Sequence, residues 1–183
     1  MVQTVKFPMR CQNWRVTTEP DARGADARVM AIPDGLIAVG AANADFEALA
    51  DLAELPSGTM LRVTRGDHDL LLVNGENGIC AIDDRCPHMA APLSLSTLEG
   101  CVIGCPLHKG KFDLRDGSVV QFPTTGGLDA DGGKHAPWTP PDAPPKDQPT
   151  DLKAMARAAT RVRRLRYYPV RVVAGRIEVR LPG

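Results

Sequence analysis

The clearest pattern in the chain is a series of short stretches in which apolar residues dominate or alternate with polar ones. Gly, Pro, Asn and Asp bound them, as expected for strands joined by turns. The predicted strands are residues 60–64, 69–73, 78–83, 101–104, 111–114, 118–122, 168–173 and 176–181. The turn sequences Asn74-Gly75, Asp116-Gly117 and Ala174-Gly175 lie between them. This pattern predicts a mostly antiparallel β domain of small sheets from about residue 51 to residue 183.

Two segments before this domain have other patterns. Residues 27–32 and 36–40 predict a strand pair joined by the turn sequence Pro33-Asp34-Gly35. Residues 45–54, DFEALADLAE, are rich in helix formers and predict a short helix.

The β pattern is also interrupted inside the domain. Residues 124–150 are rich in Pro, Gly and Asp and predict an extended, irregular excursion. Residues 151–165 contain good helix formers and predict a helix, with Thr150 as its N-cap. At helical spacing, Arg157, Arg161 and Arg164 would form one basic face, either solvated or able to dock a partner.

Composition excludes several classes of function. Acidic and basic residues are equal at 22 each, so the chain has no overall attraction to nucleic acid or anionic membranes. The N-terminal residues lack the apolar core of a signal peptide, and the longest apolar runs are far too short to span a membrane. We therefore expect a soluble, cytoplasmic protein without nucleic-acid or membrane partners.

The five cysteines make metal binding the first chemical question. An odd count without a secretory signal argues against a disulfide framework. Cys80 and Cys101 lie on predicted strands and are expected to be small core residues. Cys11 has no motif around it, and His68 and His135 lie in predicted turn and loop contexts.

Two short loops combine the remaining cysteines with the remaining histidines. Cys86-Pro87-His88 and Cys105-Pro106-Leu107-His108 each place one thiol and one imidazole close together. Each loop can give its thiolate to one iron and its imidazole to the other, and two sulfides then bridge the irons. This is the Rieske [2Fe–2S] arrangement. A zinc site also accepts two Cys and two His, although zinc modules usually group like ligands together.

Residues 84–94, 104–120 and 167–181 resemble soluble Rieske ferredoxins, and the resemblance covers about residues 51–123 and 166–183. It implies an all-β fold of three small antiparallel sheets with two cluster-binding loops at one tip. It also implies one [2Fe–2S] cluster per chain, with Cys86, His88, Cys105 and His108 as its ligands. The implied function is one-electron transfer between a reductase and a terminal oxygenase or a similar redox partner.

The resemblance also indicates a branch of the family. Respiratory Rieske proteins have an extra Cys in each loop, where this chain has Ala91 and Leu107. They also have a Ser and a Tyr after the second loop, where this chain has Gly110 and Phe112. Fewer hydrogen bonds to the cluster sulfurs lower its potential, which indicates the low-potential ferredoxin branch. Phe122-Pro123 corresponds to a third loop that covers the cluster.

We therefore expect residues 1–46 to be an N-terminal extension and residues 47–183 to be a Rieske domain with an insertion, including a short basic helix, at about 124–165. No second iron site with two His and a carboxylate is evident, so activity without a partner is not expected. One alternative is the small Rieske subunit of a multicomponent oxidoreductase, such as a nitrite reductase. Another is a zinc structural module. We also expect the insertion to lie beside the tip of the domain that holds the cluster. Lys109 and Lys111 are expected either to be solvated or to help dock an acidic partner.

Overall fold

A computed structural model describes residues 16–17, 28–144 and 150–183. Within these ranges the chain forms fifteen strands, one α-helix (α1, Leu152–Ala158) and three 3-10 turns. The 3-10 turns are Ala41–Asn43, Leu52–Glu54 and Leu93–Leu95. The strands are β1 Val16–Thr17, β2 Val29–Met30, β3 Phe46–Asp51, β4 Thr59–Arg65, β5 His68–Gly75, β6 Gly78–Asp83, β7 Leu98–Glu99, β8 Val102–Gly104, β9 Lys111–Asp113, β10 Val119–Gln121, β11 Gly127–Leu128, β12 Lys134–His135, β13 Tyr167–Tyr168, β14 Val170–Val173 and β15 Arg176–Arg180.

The largest sheet has the order β1-β2-β6-β5-β4, and β13 also pairs with β6. Successive side chains of a strand point to opposite faces of the sheet. In β5, Leu71 and Val73 accordingly join one hydrophobic cluster, whereas Leu70 and Leu72 join another. Both faces of the sheet are covered, which explains why residues 70–73 of β5 are all apolar.

The second sheet, β14-β15-β3, covers one face of the large sheet. Ile177 and Val179 of β15 are fully buried in the same cluster as Leu70 and Leu72. The prediction of a helix over residues 45–54 is wrong, because residues 46–51 form β3 and pair with β15. Pairing and burial at the edge of this sheet outweigh the helix propensity of its Ala, Leu and Glu residues.

The third sheet, β10-β9-β8-β7, covers the opposite face. Its Ile103 and Phe112, together with Leu114 just after β9, pack with Leu71 and Val73 in a shared hydrophobic cluster. The all-β fold of small, mostly antiparallel sheets is thereby confirmed, with a further two-stranded ribbon of β11 and β12 in residues 127–135.

Two predicted connections differ in detail. Gly75 pairs with Gly78, so Glu76 and Asn77 form the β5–β6 turn, and Asn74-Gly75 ends the strand. Within the described part of the first segment, residues 28–32, no strand pairing with residues 36–40 is formed. Val29 pairs with Ile79 of β6, and Ile37 bridges to Tyr167. The turn itself forms, since the Leu36 amide donates to the Pro33 carbonyl at 3.2 Å.

The helix predicted over residues 151–165 is much shorter in the structure. It spans Leu152–Ala158, and its N-cap is Asp151, which accepts from the Ala154 amide at 2.8 Å, rather than Thr150. The chain beyond the helix is extended because Val162 and Leu165 are buried in the core shared by the first and third sheets. Arg161 and Arg164 therefore do not form a helical face with Arg157.

The segment after the helix is bonded to the rest of the domain along its length. The Val162 amide donates to the Leu128 carbonyl at 2.7 Å, and the Leu165 amide donates to the Gly117 carbonyl at 3.0 Å. The Tyr167 hydroxyl then donates to the Leu114 carbonyl at 2.6 Å inside the core. Among the described residues, no helix is long and apolar enough to cross a membrane.

Truncation of Leu165 should show that this segment is part of the core. Leu165 is 1% exposed, so Leu165→Ala should lower the free energy of unfolding by about 2–5 kcal/mol through lost burial and a cavity. Leu152→Ala is the matched control, since Leu152 is 84% exposed and its truncation should change stability by about 0.5 kcal/mol or less. Urea unfolding measures both, and equal effects of the two substitutions would contradict the assignment of Leu165 to the core.

Candidate metal centre

The first loop follows β6 and has a buried acidic residue at its base. The carboxylate of Asp84 accepts hydrogen bonds from the Ser94 amide at 2.6 Å and the Ser94 hydroxyl at 2.7 Å, and Arg62 lies 3.2 Å away. The loop is closed by two backbone bonds. The Cys86 amide donates to the Ala91 carbonyl and the Ala90 amide donates to the Cys86 carbonyl, both at 2.8 Å.

The second loop, between β8 and β9, repeats this geometry. The Cys105 amide donates to the Gly110 carbonyl at 2.8 Å, and the Lys109 amide donates to the Cys105 carbonyl at 3.1 Å. The fifth residue of each turn, Ala90 or Lys109, has a left-handed backbone, with φ of 55° and 58°. The two loops are thus the same six-residue turn, each beginning at its cysteine.

The turn directs both cysteines inward, where they meet. Cys86 and Cys105 are each 4% exposed, carry free thiols and belong to the same buried cluster of side chains. The interaction with Cys105, together with burial, raises the pKa of Cys86, whereas the interaction with Cys86 lowers the pKa of Cys105. The backbone N–H groups two and three residues after each cysteine act in the direction of a lower pKa, because they favour negative charge on the sulfur.

The two histidines meet beside the cysteines. The ring centroids of His88 and His108 lie 5.0 Å apart, with the ring planes at 72°. The Nδ1 atom of His88 is buried without a hydrogen-bond partner, and the Nδ1 atom of His108 is buried as well. Burial, followed by the charge of His108, lowers the pKa of His88 to about 4. The His88 imidazole is thus held neutral, as metal ligation requires.

These four side chains fit a two-iron cluster. Across the described ranges, no three His, Cys, Asp or Glu side chains converge as ligands of one ion. The four donors instead form one pair of thiols and one pair of imidazoles, a division that matches a [2Fe–2S] cluster with two Cys at one iron and two His at the other. Nδ1 of His88 is a buried polar atom without a hydrogen-bond partner. A metal ion bound to this nitrogen would supply the missing interaction.

A third segment covers the histidines. The Thr124 amide donates to the His108 carbonyl at 2.8 Å, and the Thr125 hydroxyl lies 3.4 Å from Nε2 of His88. His88 is only 6% exposed, whereas His108 is half-buried. The expected position of this segment after Phe122-Pro123 is correct. The contact made by Thr125 was not foreseen, because no local motif marks the residue.

The inserted residues also reach the first loop from the other end of the insertion. The Arg163 amide lies 3.4 Å from the Pro87 carbonyl as a hydrogen-bond donor. Thr124, Thr125 and Arg163, near the two ends of the predicted insertion, therefore all contact the loops. These residues lie beside the candidate metal centre, as the starting point of the segment in the sequence predicted.

The other candidate histidines have different environments. His68 is the first residue of β5, not a solvated turn residue, and its ring packs edge-on against Tyr168 at 6.4 Å. His135 bonds to Asp129 at 2.8 Å and stacks on Phe122 at 3.7 Å between ring centroids. The hydrogen bond from His135 lowers the pKa of Asp129.

The remaining cysteines and the two lysines of the second loop region have different environments. Cys80 is a buried core residue as predicted, and burial raises the pKa of its thiol to about 12. Cys101 is buried but disulfide-bonded, which corrects its interpretation as a simple core residue and the argument against disulfides. Cys11 lies outside the described residues. Lys109 is exposed, and Lys111 pairs with Glu99 at 2.9 Å.

Comparison with known proteins agrees with this geometry. Residues 46–131 match the family model of the Rieske [2Fe-2S] domain. The ferredoxin component of a naphthalene 1,2-dioxygenase system from Pseudomonas aeruginosa is 43% identical over 74 residues, which are 40% of this chain and 71% of the relative. The corresponding component from Pseudomonas putida is 40% identical over 80 residues, 44% of this chain and 76% of the relative.

Among solved structures, a ferredoxin from Sphingomonas yanoikuyae B1 superposes with a TM-score of 0.49 at 20% identity, covering 75% of this chain and all of that one. The sequence similarity to the two Pseudomonas proteins extends over more than two thirds of their length. By this sequence similarity the chain belongs to the Rieske [2Fe–2S] family, whose domain holds one Rieske-type cluster.

Proposed function

We propose that this chain is a one-electron carrier whose Rieske cluster is held by Cys86, His88, Cys105 and His108. Two copies of one turn, closed by equivalent backbone hydrogen bonds, bring two buried thiols together and two imidazoles together beside them. This repeated turn is the observation on which the assignment of all four residues depends. The pairing of like donors supports a two-iron cluster over a single zinc ion.

The cluster supplies reversible one-electron chemistry, and the chain controls its surroundings. The buried sites of Cys86 and Cys105 exclude water from the sulfur side. The backbone N–H groups of residues 88 and 89 favour negative charge on the first sulfur, and those of residues 107 and 108 favour it on the second. Because Thr125 covers His88, the partly exposed His108 is the shorter route for an electron to the surface.

The proposed partners are a reductase that donates the electron and the terminal oxygenase of a ring-hydroxylating dioxygenase system that accepts it. The similarity to ferredoxin components of naphthalene dioxygenase systems supports this assignment. In such a system the oxygenase performs the reaction with the substrate, and this chain only relays electrons. We propose a cytoplasmic location on the same basis.

The four-residue ligand assignment predicts a specific loss of iron. The purified protein should contain about two irons and two labile sulfides per chain. Cys105→Ala removes one thiolate and should abolish stable cluster binding, as measured by iron and sulfide content and by the visible spectrum.

Cys80→Ala is the control for that experiment, because it also removes a buried free thiol but from the core between the sheets. It should retain the wild-type iron content despite a modest loss of stability. A colourless wild-type protein with one zinc per chain after anaerobic purification would instead identify a zinc module.

The surroundings of the cluster predict a potential toward the lower end of the Rieske range of roughly −150 to +300 mV. The reason is that Gly110 and Phe112 stand where hydroxyl side chains would donate hydrogen bonds. Protein-film voltammetry near neutral pH measures this potential. A value well above zero would contradict the assignment to the low-potential branch.

A substitution at Gly110 tests that reason directly. Gly110 has no left-handed backbone, and an added Cβ would lie 3.5 Å from Phe112 and from Pro123, an ordinary contact. Gly110→Ser should raise the potential by about 40 mV, since one hydrogen bond of about 1 kcal/mol would stabilise the more negative reduced cluster. Gly110→Ala adds the carbon without the hydroxyl and should leave the potential nearly unchanged. Equal shifts in both variants would rule out a hydrogen-bond effect.

A further inference from the structure

A cluster of four arginines surrounds a surface cavity beside the first ligand loop. The cavity has a volume of about 240 Å³, and one wall is the loop itself, residues 86–90. We call its four guanidinium residues the arginine rim: Arg85, Arg163, Arg164 and Arg166. Three of them belong to the segment that returns from the insertion.

The positive charge of the arginine rim is only partly neutralised within the protein. Arg85 pairs with Asp69 at 3.2 Å, and Arg164 donates to the backbone carbonyl of Asp116. Arg163 and Arg166 are exposed, and neither has an ion pair with an acidic side chain among the described residues.

One carboxylate lines the cavity, that of Asp83, and it accepts a hydrogen bond from the Tyr168 hydroxyl. The cavity therefore has four guanidinium groups and one carboxylate. Its net charge is positive although the chain as a whole is neutral.

The position of the arginine rim makes this charge relevant to electron transfer. The backbone of Arg163 bonds to Pro87, within the turn that holds Cys86 and His88. The exposed Lys109 adds positive charge on the second loop. A protein that approaches the two histidines therefore meets positive charge on both loops. Guanidinium groups bind carboxylates in paired hydrogen bonds, and opposite charges accelerate encounter.

We propose that the arginine rim is the docking surface for an acidic patch on the redox partner of this chain. The segment that returns from the insertion supplies this surface by placing Arg163 and Arg166 next to the first loop. Aspartate and glutamate side chains on the partner bind the two guanidinium groups and hold the partner's redox centre near the histidines. This proposal rests on the proposed function as an electron carrier.

Charged acceptor proteins test the proposal without knowledge of the natural partner. The reduced holoprotein is mixed in a stopped-flow instrument with ferric cytochrome b5, which is acidic, or with ferric cytochrome c, which is basic. In each reaction the reduced cluster loses one electron and one ferric haem becomes ferrous. The transfer rate to cytochrome b5 should fall as salt increases, because screening weakens the attraction, and the rate to cytochrome c should rise.

The double variant Arg163→Gln/Arg166→Gln removes the two unpaired charges. Its transfer rate to cytochrome b5 at low salt should fall roughly fivefold or more, and its salt dependence should flatten. The control is Arg28→Gln/Arg176→Gln, which removes the same charge from the opposite end of the sheets. Arg28 lies beside Ile79 at the start of β6, and Arg176 begins β15 next to Asp51. The control should change the rate less than twofold.

The outcomes separate this proposal from the proposed function. Equal effects of the two double variants, or none, would overturn the docking surface while leaving a reducible carrier intact. Inhibition by inorganic phosphate beyond that of chloride at equal ionic strength would show a small-anion site instead and would also overturn it. A wild-type protein without a reducible two-iron cluster would overturn the electron-carrier function itself. A rate loss confined to Arg163→Gln/Arg166→Gln supports the proposal.

Discussion

The candidate metal centre depends on the hydrophobic packing between the first and third sheets. One loop follows a strand of the first sheet, and the other connects two strands of the third. Two thiols can meet only if these sheets keep a fixed separation. A cluster of buried hydrophobic side chains sets that separation, and its members include Leu71, Val73, Ile103 and Phe112. Cys86 and Cys105 belong to the same hydrophobic cluster. The candidate ligands Cys86 and Cys105 are thus part of the core.

Sequence patterns predicted the strands well because alternate residues of β5 and β6 enter two different cores, which leaves a strong apolar signal. They failed where local propensity and tertiary packing disagree. Residues 46–51 are good helix formers but pair with β15. Residues 161–165 are also compatible with a helix, yet burial of Val162 and Leu165 keeps them extended. In both segments, contacts with residues distant in sequence decide between helix and non-helical structure. A prediction from neighbouring residues alone does not include those contacts.

The four candidate ligands were predictable because Cys and His occur together in two short loops. Their surroundings were not. The contact of Thr125 with His88 depends on how the chain turns after Pro123, and the charge beside the first loop depends on Arg163 returning from an insertion. The motif therefore predicts which side chains could bind a cluster. The fold determines which histidine remains accessible and what charge a partner meets.

The late position of Tyr167 has a consequence for biosynthesis. Its strand pairs with Ile82, just before the first loop, and its hydroxyl bonds to Leu114, just after the second loop. Proteins emerge from the ribosome N-terminus first, so both loops are made before the strand that fastens them to each other. The loops are held in their final positions only after the chain has been translated past Tyr167. Iron–sulfur loading is therefore expected to follow the synthesis and pairing of the strand that contains Tyr167.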